Sequence, residues 1–119
     1  MATRHKIAYT DKTFTDQTGS RALDTTYTNS DANSSMLVIV SFHCNISVAA
    51  GAAYVIAKSD ASSPPTTAVS GKVGIENGLL NEDSSVQISF IVAPGKNYKL
   101  ISTQTNGTVV IGFWGEMLF

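Results

Sequence analysis

One segment limits the fold more than any other: Met36 to Val48, MLVIVSFHCNISV. Met36, Val38, Val40, Phe42, Cys44, Ile46 and Val48 recur at every second position, with Leu37, Ile39, Ser41, His43, Asn45 and Ser47 between them. Successive side chains of a strand point to opposite faces, so a period of two held over 13 residues predicts one long strand with a buried face. Leu37 and Ile39 make the second face apolar as well. The first half of this strand is therefore expected to be covered on both sides, and the second half on one.

The chain beyond it continues in the same manner. Ala52 to Lys58, within GAAYVIAKSD, is a second strand rich in small residues that permit close sheet packing. ASSPPTTAVSG then breaks the pattern, because consecutive prolines donate nothing to a ladder, and it is expected to be a surface loop. KVGIE is a short strand, NGLLNEDSS a loop around Asn77-Gly78, and SVQISFIV alternates again, with Val86, Ile88, Phe90 and Val92 against Gln87, Ser89 and Ile91. Pro94-Gly95 suits the centre of a type II turn, since proline fixes φ and glycine accepts a positive one. Asn106-Gly107 is a strong short hairpin signal. Both turns predict hairpins between their flanking strands, and the second launches the final strand, TVVIGFWGEMLF.

No segment holds a 3.6-residue period over three turns. The expectation is an all-β fold, an antiparallel β-sandwich or jelly-roll-like domain of six to eight strands. A chain of 119 residues is one domain by length and can bury a sizeable core without staples. Residues 1–35 are rich in Thr, Asp and Asn, with thinly spaced apolar residues. They read as an extended polar N-terminal arm carrying two short edge strands, at KIAYT and TTYT, with a disordered leader as the alternative; residues 36–119 read as the β-sandwich domain.

Charged residues make up 14% of the chain, against a usual value of about 25%, and the net charge is −1 without charge blocks. That distribution gives no electrostatic footprint for nucleic acid or an anionic membrane. Cys44 is the one cysteine, so neither an intrachain disulfide nor a cysteine-based metal site is available. MATRHKIAYTDKTF lacks the apolar core of a secretion signal, and no run reaches the roughly 18 apolar residues of a spanning helix. The chain is expected to begin soluble in a cytoplasm, without membrane insertion.

Candidate chemistry is sparse. His43 and Cys44 are adjacent on a strand and point to opposite faces, so they cannot act together as base and nucleophile. Among the carboxylates, Glu76, Glu82, Asp83 and Glu116 do not form a pair set across a cleft. No catalytic residue, cofactor or metal is expected. Glu116, inside FWGEMLF, is read as pointing outward with Trp114 and Leu118. The last strand has Val109, Ile111, Phe113, Met117 and Phe119 on one face and Val110, Trp114 and Leu118 on the other, too much apolar surface for one core. It predicts a subunit interface through Val110, Trp114, Glu116, Leu118 and Phe119. The loops 61–71 and 78–84 predict a polar recognition surface through Ser62, Ser63, Thr66, Thr67, Asn81, Glu82 and Asp83.

TTYTNSDANSSMLVIVSFHC, GAAYVIAKSD, SFIVAPGKNYKLIS and GFWGEMLF together resemble small β modules of bacteriophage virion proteins, particularly the heads of tail fibres and tail needles. The matching positions are Tyr27 with Asn29, Ala53 to Val55, Pro94 to Tyr98, and Trp114 with Glu116. The resemblance implies a non-enzymatic structural protein of the virion, made in the host cytoplasm and assembled as a homotrimer with other virion proteins. Its implied role is a tail-fibre or head-fibre receptor-binding head facing a host-surface polysaccharide or protein receptor. Capsid decoration that cements the shell is the alternative, and a free carbohydrate-binding module a third.

Overall fold

A computed structural model describes residues 14–119. Eight strands follow one another: β1 (Thr15–Asp16), β2 (Thr26–Thr28), β3 (Met36–Ile46), β4 (Gly51–Asp60), β5 (Val73–Gly78), β6 (Asp83–Val92), β7 (Asn97–Thr105) and β8 (Gly107–Leu118). They form two four-stranded sheets, which we call sheet I, in the order β1-β8-β3-β6, and sheet II, in the order β2-β7-β4-β5. Every pairing is antiparallel. Two sheets stacked with this interleaved order make an eight-stranded jelly roll, and the expected fold class is the observed one.

The alternation of β3 sets the core. Val38, Val40, Phe42, Cys44 and Ile46 face sheet II and are buried, joined by Ile88, Phe90 and Val92 of β6. From the other side come Ala53, Val55 and Ala57 of β4, Ile75 of β5, and Tyr98 and Leu100 of β7. Burial pushes the Cys44 thiol up from its ordinary pKa, so it stays a protonated packing group.

Two expectations about connectivity fail. Pro94-Gly95 does form its turn: Lys96 N–H donates to Ala93 O at 3.1 Å, and Gly95 sits at φ 74°. Yet β6 belongs to sheet I and β7 to sheet II, so the turn carries the chain between sheets and makes no hairpin. Asn106-Gly107 likewise passes from β7 in sheet II to β8 in sheet I, with Asn106 at φ 53°. A turn's residues specify a reversal of direction; the partner of each strand is specified by which inner face can be filled.

The boundary expected after residue 35 also moves. β1 lies along β8 and β2 along β7, with Tyr27 opposite Tyr98, so the segment from Thr15 onward is part of the sandwich. Asn29 is wholly buried, and its Nδ2 donates to the carbonyls of Ser34, Val92 and Ala93, closing one end of the core. TTYT supplies the expected edge strand as β2; KIAYT lies outside the described residues.

Candidate interaction surfaces

The last strand decides what this molecule presents to its surroundings, and a bulge decides the last strand. In the β3–β8 ladder Ser41 lies opposite Phe113 and Phe42 opposite Ile111, which leaves Gly112 without a partner. One extra residue reverses every side chain beyond it. Before the bulge Val109 faces the core; after it Trp114 and Glu116 do, at 0% and 6% exposure. The expected outward placement of Trp114 and Glu116 is therefore overturned, and neither offers surface to a second subunit. Val110, Leu118 and Phe119 are exposed, together with Phe113. An isolated glycine within an apolar strand was the available signal of a bulge.

Glu116 is buried with partners. Arg21 donates through Nε at 2.9 Å and Nη2 at 3.0 Å to its two carboxylate oxygens, and Tyr98 O–H donates to Oε2. The Arg21 guanidinium also lies 4.6 Å above the Tyr27 ring, whose hydroxyl accepts from the Ala22 N–H at 2.8 Å. Burial first, and the neighbouring Glu116 carboxylate second, hold the Tyr98 hydroxyl well above the ordinary tyrosine pKa. Trp114 packs edge-on to Tyr27 at 6.0 Å and tilted to Tyr98 at 6.4 Å, its indole N–H buried without a hydrogen-bond partner among the described residues. A bidentate, enclosed pair of this kind costs about 3–5 kcal/mol when one partner is removed, because the other stays buried and charged. It clasps the segment after β1 onto β8, helped by Gln17 N–H donating to Trp114 O at 2.7 Å and Trp114 N–H donating to Thr18 Oγ1 at 3.0 Å.

The outward face of sheet I changes character along its length. Its first cross-strand row is Met117, Leu37 and Ile91; the next is Gly115, Ile39 and Ser89. Phe113 and Phe14 fill the space over Gly115, where an added Cβ would come within 2.7 Å of the Phe113 ring. Past these apolar rows come Phe113, Ser41 and Gln87, then Val110, His43 and Ser85. Ile91 is 57% exposed and Val110 60%. Beside the bulge the polar rows enclose an open groove of ≈ 430 Å³. There His43 Nδ1 and Ser85 Oγ are 3.1 Å apart. A serine and a histidine in contact resemble half of a nucleophilic constellation, but His43 has no carboxylate hydrogen-bonded to its other nitrogen among the described residues, so the base lacks the group that would orient it.

The expected recognition loops do not come together. Asp60 lies opposite Asn97 at one end of β4, and Gly51 opposite Gly78 at the other. Ser62, Ser63, Thr66 and Thr67 thus occupy one end of the sandwich, and Asn81, Glu82 and Asp83 the opposite end, roughly 30 Å away along a strand of this length. A single surface through both loops is ruled out. The first loop is organised by Asp60, whose carboxylate accepts from the N–H groups of Ser62 at 2.8 Å and of Thr66 and Thr67 at 2.9 Å each. Those backbone donors, Thr66 foremost, hold its pKa well below the usual carboxylate range. At the far end Glu82 Oε1 accepts from Leu79 N–H at 2.9 Å, and Leu79 and Leu80 stand exposed at the tip. No group of His, Cys, Asp and Glu able to hold a metal ion occurs among the described residues.

No protein-family description, curated protein or solved structure matches this chain.

Proposed function

We propose that this chain is a non-enzymatic structural module of a bacteriophage particle, a homotrimer that acts as a receptor-binding head of the tail-fibre or head-fibre kind. One observation carries the reading: the apolar rows Met117–Leu37–Ile91 and Ile39 with Phe113 and Phe14, on the outward face of sheet I. Contiguous apolar patches beyond about 300–600 Å² are uncommon on monomers and mark protein contacts. The jelly roll hosts viral capsid and lectin domains among other roles, which is support at the level of fold analogy. The residues behind the phage resemblance, Tyr27, Asn29, Tyr98, Trp114 and Glu116, meet in or beside the interior and close the sandwich. They bear on how such a module is built, while the outward face bears on what it does.

Sedimentation velocity on the purified chain tests the assembly: an oligomer that persists on dilution is expected, and a monodisperse monomer overturns the reading. Incubation with intact bacterial cells then separates attachment from decoration. Retention on cells supports the receptor head; recovery on capsids without cell binding replaces it with the cementing role.

A further inference from the structure

The bulge builds a site as well as reversing a strand. Gly112 has no partner in the ladder, and a Cβ placed on it would meet only Ser41 O, at 3.6 Å. Its missing side chain leaves the floor of the groove on sheet I open. Around that floor stand Ser41, His43, Ser85 and Gln87, with Val110 as an aliphatic wall. His43 and Ser85 satisfy one another on one side. The Ser41 hydroxyl and the Gln87 amide make no side-chain hydrogen bond among the described residues, and His43 keeps its second ring nitrogen free.

Among the described residues no charged side chain lines the groove. An anion would find no cation there, and a cation no carboxylate. A wholly apolar ligand would desolvate a hydroxyl, an amide and an imidazole without replacing their hydrogen bonds, at a cost of about 1–3 kcal/mol for each group. The lining suits a neutral molecule that has hydroxyl groups on one side and C–H groups on the other. We propose that this groove binds a neutral saccharide unit, its hydroxyls meeting Ser41, His43 and Gln87 and its C–H face lying on Val110. The volume, ≈ 430 Å³, falls within the range of small-molecule sites, about 300–1,000 Å³. The inference rests on the attachment reading and gives it a ligand class; the groove adjoins the apolar rows assigned to subunit contact, with Phe113 in the row of Ser41 and Gln87.

Titration of the full chain with maltose, lactose and chitobiose, followed by ¹H–¹⁵N correlation spectra, tests it. At least one sugar is expected to shift the amide signals of His43, Ser85, Gln87 and Gly112 together. Gly112→Leu, whose Cβ would make only an ordinary contact with Ser41 O at 3.6 Å, is expected to fill the floor, to weaken binding by about tenfold or more and to leave the remaining spectrum in place. Gln87→Ala serves as a second variant that keeps the wall intact and should also weaken binding. The absence of groove shifts with all three sugars, or shifts that survive both variants, overturns the proposal. Sedimentation of the same samples reads assembly independently, so an oligomer that ignores every sugar removes the groove site alone, and a sugar-binding monomer removes the assembly alone.

Discussion

The two sheets share one core and treat water differently. On sheet II the outward rows run from Asp60, Asn97 and Thr28 to Lys58, Lys99 and Thr26, then Ile56 with Ile101, then Tyr54 with Thr103. Lys72 covers the Tyr54 ring at 5.1 Å and pairs with Glu76 at 3.2 Å. Ile56 and Ile101 are thus flanked by lysine stems that shield apolar surface while their ammonium groups stay in water. On sheet I, Leu37, Ile39, Ile91, Phe113 and Met117 lie beside one another with no lysine or arginine in the same rows. One chain solves the solvated outer face on sheet II with ordinary means, so the apolar face of sheet I is not imposed by the fold.

That contrast can be broken at several points. The largest effect is expected across the bulge. Trp114→Ala empties the core and should cost about 3–5 kcal/mol in urea unfolding, whereas Phe113→Ala, one residue earlier and facing out, should cost about 1 kcal/mol or less and show itself in sedimentation. Equal losses of stability would mean that the bulge does not divide the strand. Next in size is a charge on each outer face: Ile91→Lys is expected to dissociate the assembly and Ile101→Lys to leave it intact, both read by sedimentation velocity. If the two variants behave alike, the difference between the sheets has no consequence for association. The smallest effect lies in the loop of sheet II. Asp60 has a folded-state pKa below its ordinary 3.8, so its contribution is present above that pH and is lost as the pH falls below it. Amide exchange at Thr66 and Thr67 should accelerate on acidification, and Asp60→Asn should flatten that dependence while leaving sheet I unaffected.

Much of the fold was legible, and the reasons for the misses are physical. β3 and β6 alternate without interruption, and period two is a property of every strand, so their inner faces could be assigned from residue type alone. Leu37 and Ile39 announced the second apolar face in the same way. The tight turns were readable because Gly95 and Asn106 need backbone geometry that few residues accept. Their strand partners were not, since a jelly roll exchanges sheets at positions where local chemistry also permits a hairpin. β8 was misread because it is apolar on both sides of the bulge, which leaves periodicity no contrast with which to locate the extra residue. Glu116 could be placed only together with Arg21, 95 positions away, and no local pattern reports a contact at that separation. The groove inherits both obscurities: its floor is the bulge, and its sides come from three strands brought together by topology.

The last strand, Gly107–Leu118, lies inside sheet I between β1 and β3. A growing chain can therefore display β3 and β6 long before the strand that separates β3 from β1 has left the ribosome. Such a topology delays closure of the sheet until β8 has emerged, and folding is expected on the millisecond-to-second scale of domains built from non-local pairings. Until β8 arrives, the free side of β3 is an open edge carrying some of the most apolar sequence in the molecule, and the interval before closure is when a misplaced neighbour could pair with it.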